Sequence, residues 1–250
     1  MLKIRSEQME ALEQAAIRNF EQRLLQHLRE YFPKHTKLMA EEQLKKVIHY
    51  GWERAQTYGL TAENSITLFT DLMFLLGRGF DTDPQLPWAA EILNYKELSD
   101  EERTQTLYEK AIDYLNRVSG EKNEHIDAAQ ARIRDEKPED LAQVPITLLP
   151  EQLLRRLKKV FPQKYDNVGE PALHEMIQQG MAAANQYEIT NSRGLATYIG
   201  LMFMLGASFD TDPQFSWARE VLTDPSVGNE HERTERLYAA GLSYLDMWCG

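Results

Sequence analysis

The chain has 250 residues, enough to bury a substantial core as one large domain or two small ones. Hydrophobic residues make up 42% of it and aromatic residues 10%, which is typical of a globular protein and argues against wholesale disorder. The formal net charge of −11 argues against a general nucleic-acid or anionic-lipid surface, because both need clustered Lys and Arg.

Targeting and membrane signals are not found in the sequence. The early cations at the N-terminus are not followed by an apolar run, so no signal peptide is predicted. The longest apolar run, LMFLLG at 72–77, is far shorter than the roughly 20 residues of a membrane-spanning helix. The only cysteine is Cys249, so a disulfide within the chain and a cysteine metal cluster are excluded. These features predict a cytoplasmic protein.

An internal duplication dominates the sequence. An offset of 129 positions aligns residues 24–93 with residues 153–222 without a gap. Within this alignment FDTDPQLPWAAEIL (80–93) recurs as FDTDPQFSWAREVL (209–222). The offset is far longer than the about 20–50 residues of a solenoid repeat, so it indicates a small domain copied in tandem.

The duplication defines the predicted domain organisation. A first helical repeat is expected over residues 1–119 and a second over residues 146–250. Between them, residues 120–145 are highly charged and predict a linker whose first half is helical.

The first predicted helices follow from apolar residues spaced three or four apart. This spacing covers residues 7–31 and again residues 41–58, where Gly59 is a plausible C-cap. Thr61 is a good N-cap for the next helix, which should stop near Gly77.

Two further helices complete the predicted repeat. A short one should follow Pro84, and Ser99 with Glu102 has the spacing of a capping box that opens the last. No sustained alternation of apolar and polar residues predicts a strand. The predicted fold is therefore all-α, with two homologous helical subdomains in tandem related by a pseudo-twofold axis.

The repeated FDTDP turn has a structural interpretation. Proline biases the aspartate before it to the extended backbone of an N-cap, so Asp83 and Asp212 should accept the free N–H groups of a following helix. The phenylalanines that open the turns should lie in the core. Trp88 and Trp217, on the helices that follow, should pack against their own repeats.

The alternative interpretation is a cation site. Asp81 and Asp210 have no role in the capping scheme, and Asp-x-Asp supplies two carboxylates that suit calcium or magnesium. The further ligands and the glycine of a calcium loop are missing, because proline follows at once. No metal ligand is therefore assigned, and these two aspartates remain candidates for a partner-binding or structural role.

Catalytic motifs are not found. The sequence contains no HExxH, GxSxG, P-loop or GxGxxG pattern. The two repeats share mostly apolar and turn-forming residues, whereas His49, Arg54 and Asp71 become Gln178, Ala183 and Gly200. His27 aligns with Arg156, and both it and His49 are expected on solvated faces. The pattern preserves a shape rather than a reaction centre, so a non-catalytic protein without a cofactor is predicted.

Three segments carry a resemblance to a bacterial family. They are MLKIRSEQMEALEQAAIRNFEQRLLQHLREYFP, HYGWERAQTYGLTAENSITLFTDLMF and LMFLLGRGFDTDPQLPWAAEIL. The chain resembles poorly characterised helical proteins whose genes lie beside those for type VI secretion spike proteins and toxic effectors. The resemblance covers residues 1–118 and, as a second copy, residues 150–245.

The resemblance implies a cellular context rather than a reaction. It implies a cytoplasmic accessory that binds an effector toxin, as an immunity protein that neutralises the toxin. The alternatives are an adaptor or chaperone that loads the effector on the secretion spike, or a metal-dependent protein that uses the Asp-x-Asp turns. The family brings no established catalytic residues.

Overall fold

The computed structural model describes residues 6–136 and 138–248, and this part of the chain is helical with no strand. Between residues 6 and 119, the first repeat holds six helices. They are α1 (Ser6–Tyr31), α2 (Pro33–Thr36), α3 (Glu41–Thr57), α4 (Glu63–Leu76), α5 (Pro87–Asn94) and α6 (Asp100–Ser119). Helix α4 packs against both α3 and α6, so it forms the centre of this repeat.

The second repeat has the same order of α-helices. They are α8 (Leu149–Val160), α9 (Pro162–Val168), α10 (Glu170–Asn185), α11 (Ser192–Leu205), α12 (Ser216–Thr223) and α13 (Glu230–Trp248). Helix α11 packs against α10 and α13, as α4 does against α3 and α6. Short 3-10 turns precede α8 (Ile146–Leu148) and α12 (Pro213–Phe215).

The linker is structured. It contains helix α7 (Glu124–Asp135), as the charge pattern predicted for its first half, and a 3-10 turn (Pro138–Leu141). Helix α7 packs against α6 and α8, while the 3-10 turn packs against α11. Leu141 is 6% exposed, so the linker contributes an apolar side chain to the core of the second repeat.

Close packing explains the small residues shared by α3 and α10. A Cβ added to Gly51 would lie 2.8 Å from Thr70 Oγ1, and one added to Gly180 would lie 2.8 Å from Ile199 Cγ1. Both helices therefore touch their neighbours through a glycine backbone, because any side chain there would force the helices apart.

Several predicted helix ends are confirmed and others are wrong. Ser99 and Glu102 form the capping box of α6. Helix α5 begins at Pro87, three residues later than the predicted start at Pro84. Ala62, not Thr61, occupies the N-cap position of α4. The Asp100 carboxylate instead accepts the N–H groups of residues 61 and 62, at 2.9 and 3.1 Å. A cap supplied by a distant helix has no local sequence signature.

Within the described residues, no helix combines the length and apolarity needed to cross a lipid bilayer. Cys249 and its predicted position lie outside the described residues.

Candidate functional site

The first FDTDP turn is held by bonds that cross between the repeats. Asp83 is 4% exposed, and its Oδ1 accepts the N–H of Gln85 at 2.9 Å. Its Oδ2 accepts the N–H of Ala207, in the second repeat, at 2.7 Å. Asp83 therefore caps its own turn with one oxygen and binds the other repeat with the second.

The second turn makes the matching bonds in the opposite direction. Asp212 Oδ1 accepts the N–H of Gln214 at 2.9 Å, and Oδ2 accepts the N–H of Arg78 at 2.8 Å. Arg78 corresponds to Ala207 at the offset of 129 found in the sequence. We call these four bonds the reciprocal clamp.

The capping prediction is thus right for Asp212 and wrong for Asp83. Asp212 is the N-cap of the 3-10 turn Pro213–Phe215, whereas Asp83 lies in a non-helical turn three residues before the N-cap Leu86. Asp83 therefore does not lie at the start of a helix. Its stabilisation comes from two backbone donors, one of them supplied by the other repeat.

Two glutamines extend the clamp. Gln85 Nε2 donates to the Met202 carbonyl at 3.1 Å, and Gln214 Nε2 donates to the Met73 carbonyl at 2.9 Å. These carbonyls lie in the last turns of α11 and α4, and each also accepts the N–H of the glycine that ends its helix. Each repeat therefore helps to close the C-terminal end of a central helix in the other.

Glycines allow the repeats to approach this closely. Gly77 and Gly206 end α4 and α11 with φ of 98° and 101°, a backbone conformation that residues with a side chain rarely adopt. A Cβ added to Gly77 would lie 2.9 Å from the Leu205 carbonyl oxygen, and one added to Gly206 would lie 3.0 Å from that of Leu76. The two main chains meet at this point.

The remaining aspartate of the first turn is buried and forms an ion pair with a half-buried arginine. Asp81 is 1% exposed, and its Oδ2 accepts the Nε–H of Arg54 at 2.5 Å and the hydroxyl of Tyr58 at 2.9 Å. Burial, with the bond to Asp81 as a second cause, raises the pKa of Tyr58 to about 12. The phenol therefore stays protonated at neutral pH and acts as a donor.

The second repeat keeps the tyrosine and loses the arginine. Tyr187 donates its hydroxyl to Asp210 Oδ2 at 2.8 Å, and Ala183 stands where the first repeat has Arg54. Burial again raises the pKa of Tyr187 to about 12. The two aspartates thus share the hydrogen bond from a tyrosine but not the ion pair with an arginine. A reaction centre common to both repeats would need the same charged partner in each.

The turn tryptophans pack as predicted. Trp88 lies 6.0 Å from Tyr114 and Trp217 lies 5.7 Å from Tyr244, measured between ring centroids. Both contacts join α5 or α12 to the last helix of the same repeat. Neither indole N–H has a hydrogen-bond partner among the described residues. These tryptophans anchor the helices that follow the turns.

A cavity of about 250 Å³ lies between the repeats and includes Asp83 in its wall. His35 and Lys164, which correspond at the offset of 129, also line it. Burial lowers the pKa of His35 to about 4. Burial also lowers the pKa of Lys164 to about 8, against the attraction of Asp83. The ammonium of Lys164 donates to the Phe203 carbonyl, so it closes the end of α11.

No group of three or more His, Cys, Asp or Glu side chains that could hold a metal ion occurs among residues 6–136 and 138–248. In the turns, the oxygens of Asp83 and Asp212 already accept backbone N–H groups, and Asp81 faces a guanidinium. Burial raises the pKa of both Asp83 and Asp212. Chemically, the arrangement binds backbone rather than a cation.

Sequence reasoning missed the partners of these aspartates. Tyr58 and Gln85 recur in the second repeat as Tyr187 and Gln214, and this recurrence was a usable signal for shared bonds. His27 was expected on a solvated face, but its Nε2 lies 2.9 Å from Asp71 Oδ1 in a half-buried pair. His49 is indeed exposed, beside Glu53.

Comparison of the chain with protein-family models, curated proteins and solved structures finds no match.

Proposed function

We propose that this chain is a non-catalytic protein-binding accessory of a bacterial type VI secretion effector, and that it acts as an immunity protein that neutralises the toxin. The observation that carries the non-catalytic part is the reciprocal clamp. Asp83 and Asp212, which supply half of the carboxylates of the Asp-x-Asp turns, accept buried backbone N–H groups from both repeats. The effector context rests on the family resemblance of the three quoted segments.

The proposal includes the architecture. We infer that the two repeats are a tandem duplication related by a pseudo-twofold axis near Gly77 and Gly206. The paired bonds support this, because each clamp bond and each glutamine bond from one repeat to the other has a counterpart displaced by 129 residues in the opposite direction. Such reciprocity is the property of a twofold contact between like units. It makes a rigid platform for a partner.

The test is co-expression with the protein encoded by the adjacent gene. An immunity protein should co-purify with that protein, and cells that produce both should survive when cells that produce the toxin alone do not. If the two proteins never associate and the cells are not protected, the accessory role is wrong.

An adaptor or chaperone role is the second candidate. It shares the effector contact but predicts a complex that also contains the spike protein, and loss of effector secretion when the gene is deleted. Protection of cells without any effect on secretion would favour immunity. Loss of secretion without protection would favour loading.

A metal-dependent role is the third candidate, and a single carboxylate oxygen favours it. Asp81 Oδ1 is buried and has no hydrogen-bond partner among the described residues. Because Arg54 neutralises the same carboxylate, we expect the melting temperature to stay within about 1 °C when EDTA and then calcium or magnesium are added. A rise of several degrees with either ion would favour the metal role.

A further inference from the structure

Apolar side chains are exposed together on one face of the first repeat. Tyr31 on α1, Leu75 on α4, and Tyr108 and Ile112 on α6 are 65%, 46%, 49% and 39% exposed. Tyr31 and Leu75 border the His27–Asp71 pair, since Tyr31 stacks on His27 at 4.5 Å and Leu75 lies one turn beyond Asp71. Tyr108 and Ile112 lie one turn apart on α6, which packs against α4. We call this surface the open face. An exposed apolar cluster of this kind marks an interaction site more often than scattered apolar residues do.

The second repeat has the same surface, and there the linker covers it. The corresponding residues are Val160 and Met204 at the offset of 129, and Tyr238 and Leu242 at an offset of 130, where LYEKAIDYL (107–115) aligns with LYAAGLSYL (237–245). All four are buried or half-buried and line one apolar groove together with Ile133 and Leu141 of the linker. Helix α7 and the 3-10 turn after it therefore occupy, in the second repeat, the position that is uncovered in the first.

The charged side chains at the centre of the surface differ between the repeats, because His27 stands in the first where Arg156 stands in the second. In the second repeat, Arg156 belongs to the face and pairs with Glu136 of the covering linker, with side chains only 18% and 12% exposed. In the first repeat the face itself supplies an acid, because Asp71 replaces Gly200 and pairs with His27. Burial raises the pKa of Asp71, so a further cation would be favourable there.

We propose that the open face binds a basic amphipathic helix of the partner protein. The shape of the occupant follows from the linker, which covers the matching surface with a helix and its C-terminal turn. Its charge follows from the acid that only the first repeat carries, because a face that presents Asp71 is complemented by Lys or Arg where the linker presents Glu136. This inference rests on the proposed function, since it assigns the surface through which the effector is held.

The test uses the full chain and two fluorescein-labelled helical peptides of about 18 residues, or five turns. Both carry leucine on one face; one has lysine on the other face and its match has glutamate. Fluorescence anisotropy should show saturable binding of the lysine peptide and at least about tenfold weaker binding of the glutamate peptide.

Three variants locate the binding site. Leu75→Ser and Ile112→Ser should each weaken the lysine peptide about tenfold by removing apolar contact, and Asp71→Asn about fivefold at low salt, with less effect at high salt. Tyr95→Ser is the matched control, because Tyr95 is 50% exposed and lies off the face, on the chain after α5. Circular dichroism checks that each variant is folded.

The outcomes separate this inference from the proposed function. Equal binding of both peptides, or equal loss in Tyr95→Ser, overturns the assignment of a basic helix to the open face. If the effector co-purifies with the wild type and equally with Leu75→Ser/Ile112→Ser, the accessory role stands and the open face is wrong. If the wild type does not co-purify with the effector, the accessory role falls whatever the peptides show.

Discussion

At the scale of single residues, the turn aspartates act across the molecule rather than within their own helices. Asp83 needs both carboxylate oxygens, one for the N–H of Gln85 and one for the N–H of Ala207. An asparagine there would turn an NH₂ group towards one of these donors and leave a buried N–H unpaired. We expect Asp83→Asn to lower the free energy of unfolding by about 1–3 kcal/mol, measured by urea unfolding.

Asp224→Asn is the control for this prediction. Asp224 Oδ1 accepts the N–H of Ser226 at 2.8 Å, the same local bond as in the clamp, but it makes no bond to the other repeat and is partly exposed. Its loss should change stability by about 0.5 kcal/mol or less. Equal losses for both variants would show that the bond across the repeats contributes nothing.

Two helix glycines provide a second pair of variants, whose effects on the melting temperature should have opposite signs. A Cβ on Gly180 would lie 2.8 Å from Ile199 Cγ1 and 3.0 Å from Met202 Sδ, whereas one on Gly200 would meet nothing within 4 Å. We expect Gly180→Ala to lower the melting temperature through overpacking that costs about 1–3 kcal/mol. Gly200→Ala should raise it, because alanine favours a helix by about 1 kcal/mol over glycine. A stabilising Gly180→Ala would contradict the close approach of α10 and α11.

At the scale of helices, the sequence predicted what local patterns encode. Apolar spacing predicted α1 and α3, and the Ser99–Glu102 pattern predicted the start of α6, because all of these depend on neighbours within one or two turns. The start of α5 was wrong by three residues, and the partners of Asp83 were missed because one of its donors lies 124 residues away. No local rule contains such a donor.

The features of the candidate site likewise divide into those that the sequence could predict and those that it could not. The burial of Asp83, Asp212 and the turn phenylalanines was within reach of the sequence, because the repeat marked them. The ion pair between Arg54 and Asp81 was not, because Arg54 is one of the residues that the second repeat lacks. Comparing repeats finds shared contacts and overlooks those that only one repeat makes.

The linker is the element whose packing can be tested most directly. Leu141 is 6% exposed against α11, so Leu141→Ala should lower the free energy of unfolding by about 2–3 kcal/mol. Leu148→Ala is the control, because Leu148 is 55% exposed and should contribute within about 0.5 kcal/mol. Guanidinium unfolding compares them. Equal values would show that the linker does not cover the second repeat in solution.

At the scale of the whole molecule, a histidine in the cavity between the repeats makes the stability of the folded chain depend on pH. The pKa of His35 is about 4 in the folded chain and 6.5 is its ordinary value, so the unfolded chain binds more protons between these pH values. Stability therefore falls as pH drops from 6.5 to 4, by about 3 kcal/mol for this group.

Replacement of the histidine checks this dependence. Urea unfolding at pH 7, 5.5 and 4 should show a smaller loss of stability for His35→Gln than for the wild type. His49→Gln should follow the wild type, because His49 is 75% exposed and lies outside the cavity. An unchanged pH dependence in His35→Gln would place the acid sensitivity in other groups.

The reciprocal clamp also has a consequence for ancestry and assembly. The clamp bonds and the two glutamine bonds are each returned from the matching position, so a polypeptide holding one repeat contains both halves of these contacts. Two such polypeptides would pair as a homodimer, each aspartate reaching the main-chain amide of its twin. Gene fusion would then have turned a concentration-dependent pair into a permanent one, and left the two copies free to acquire different outer faces.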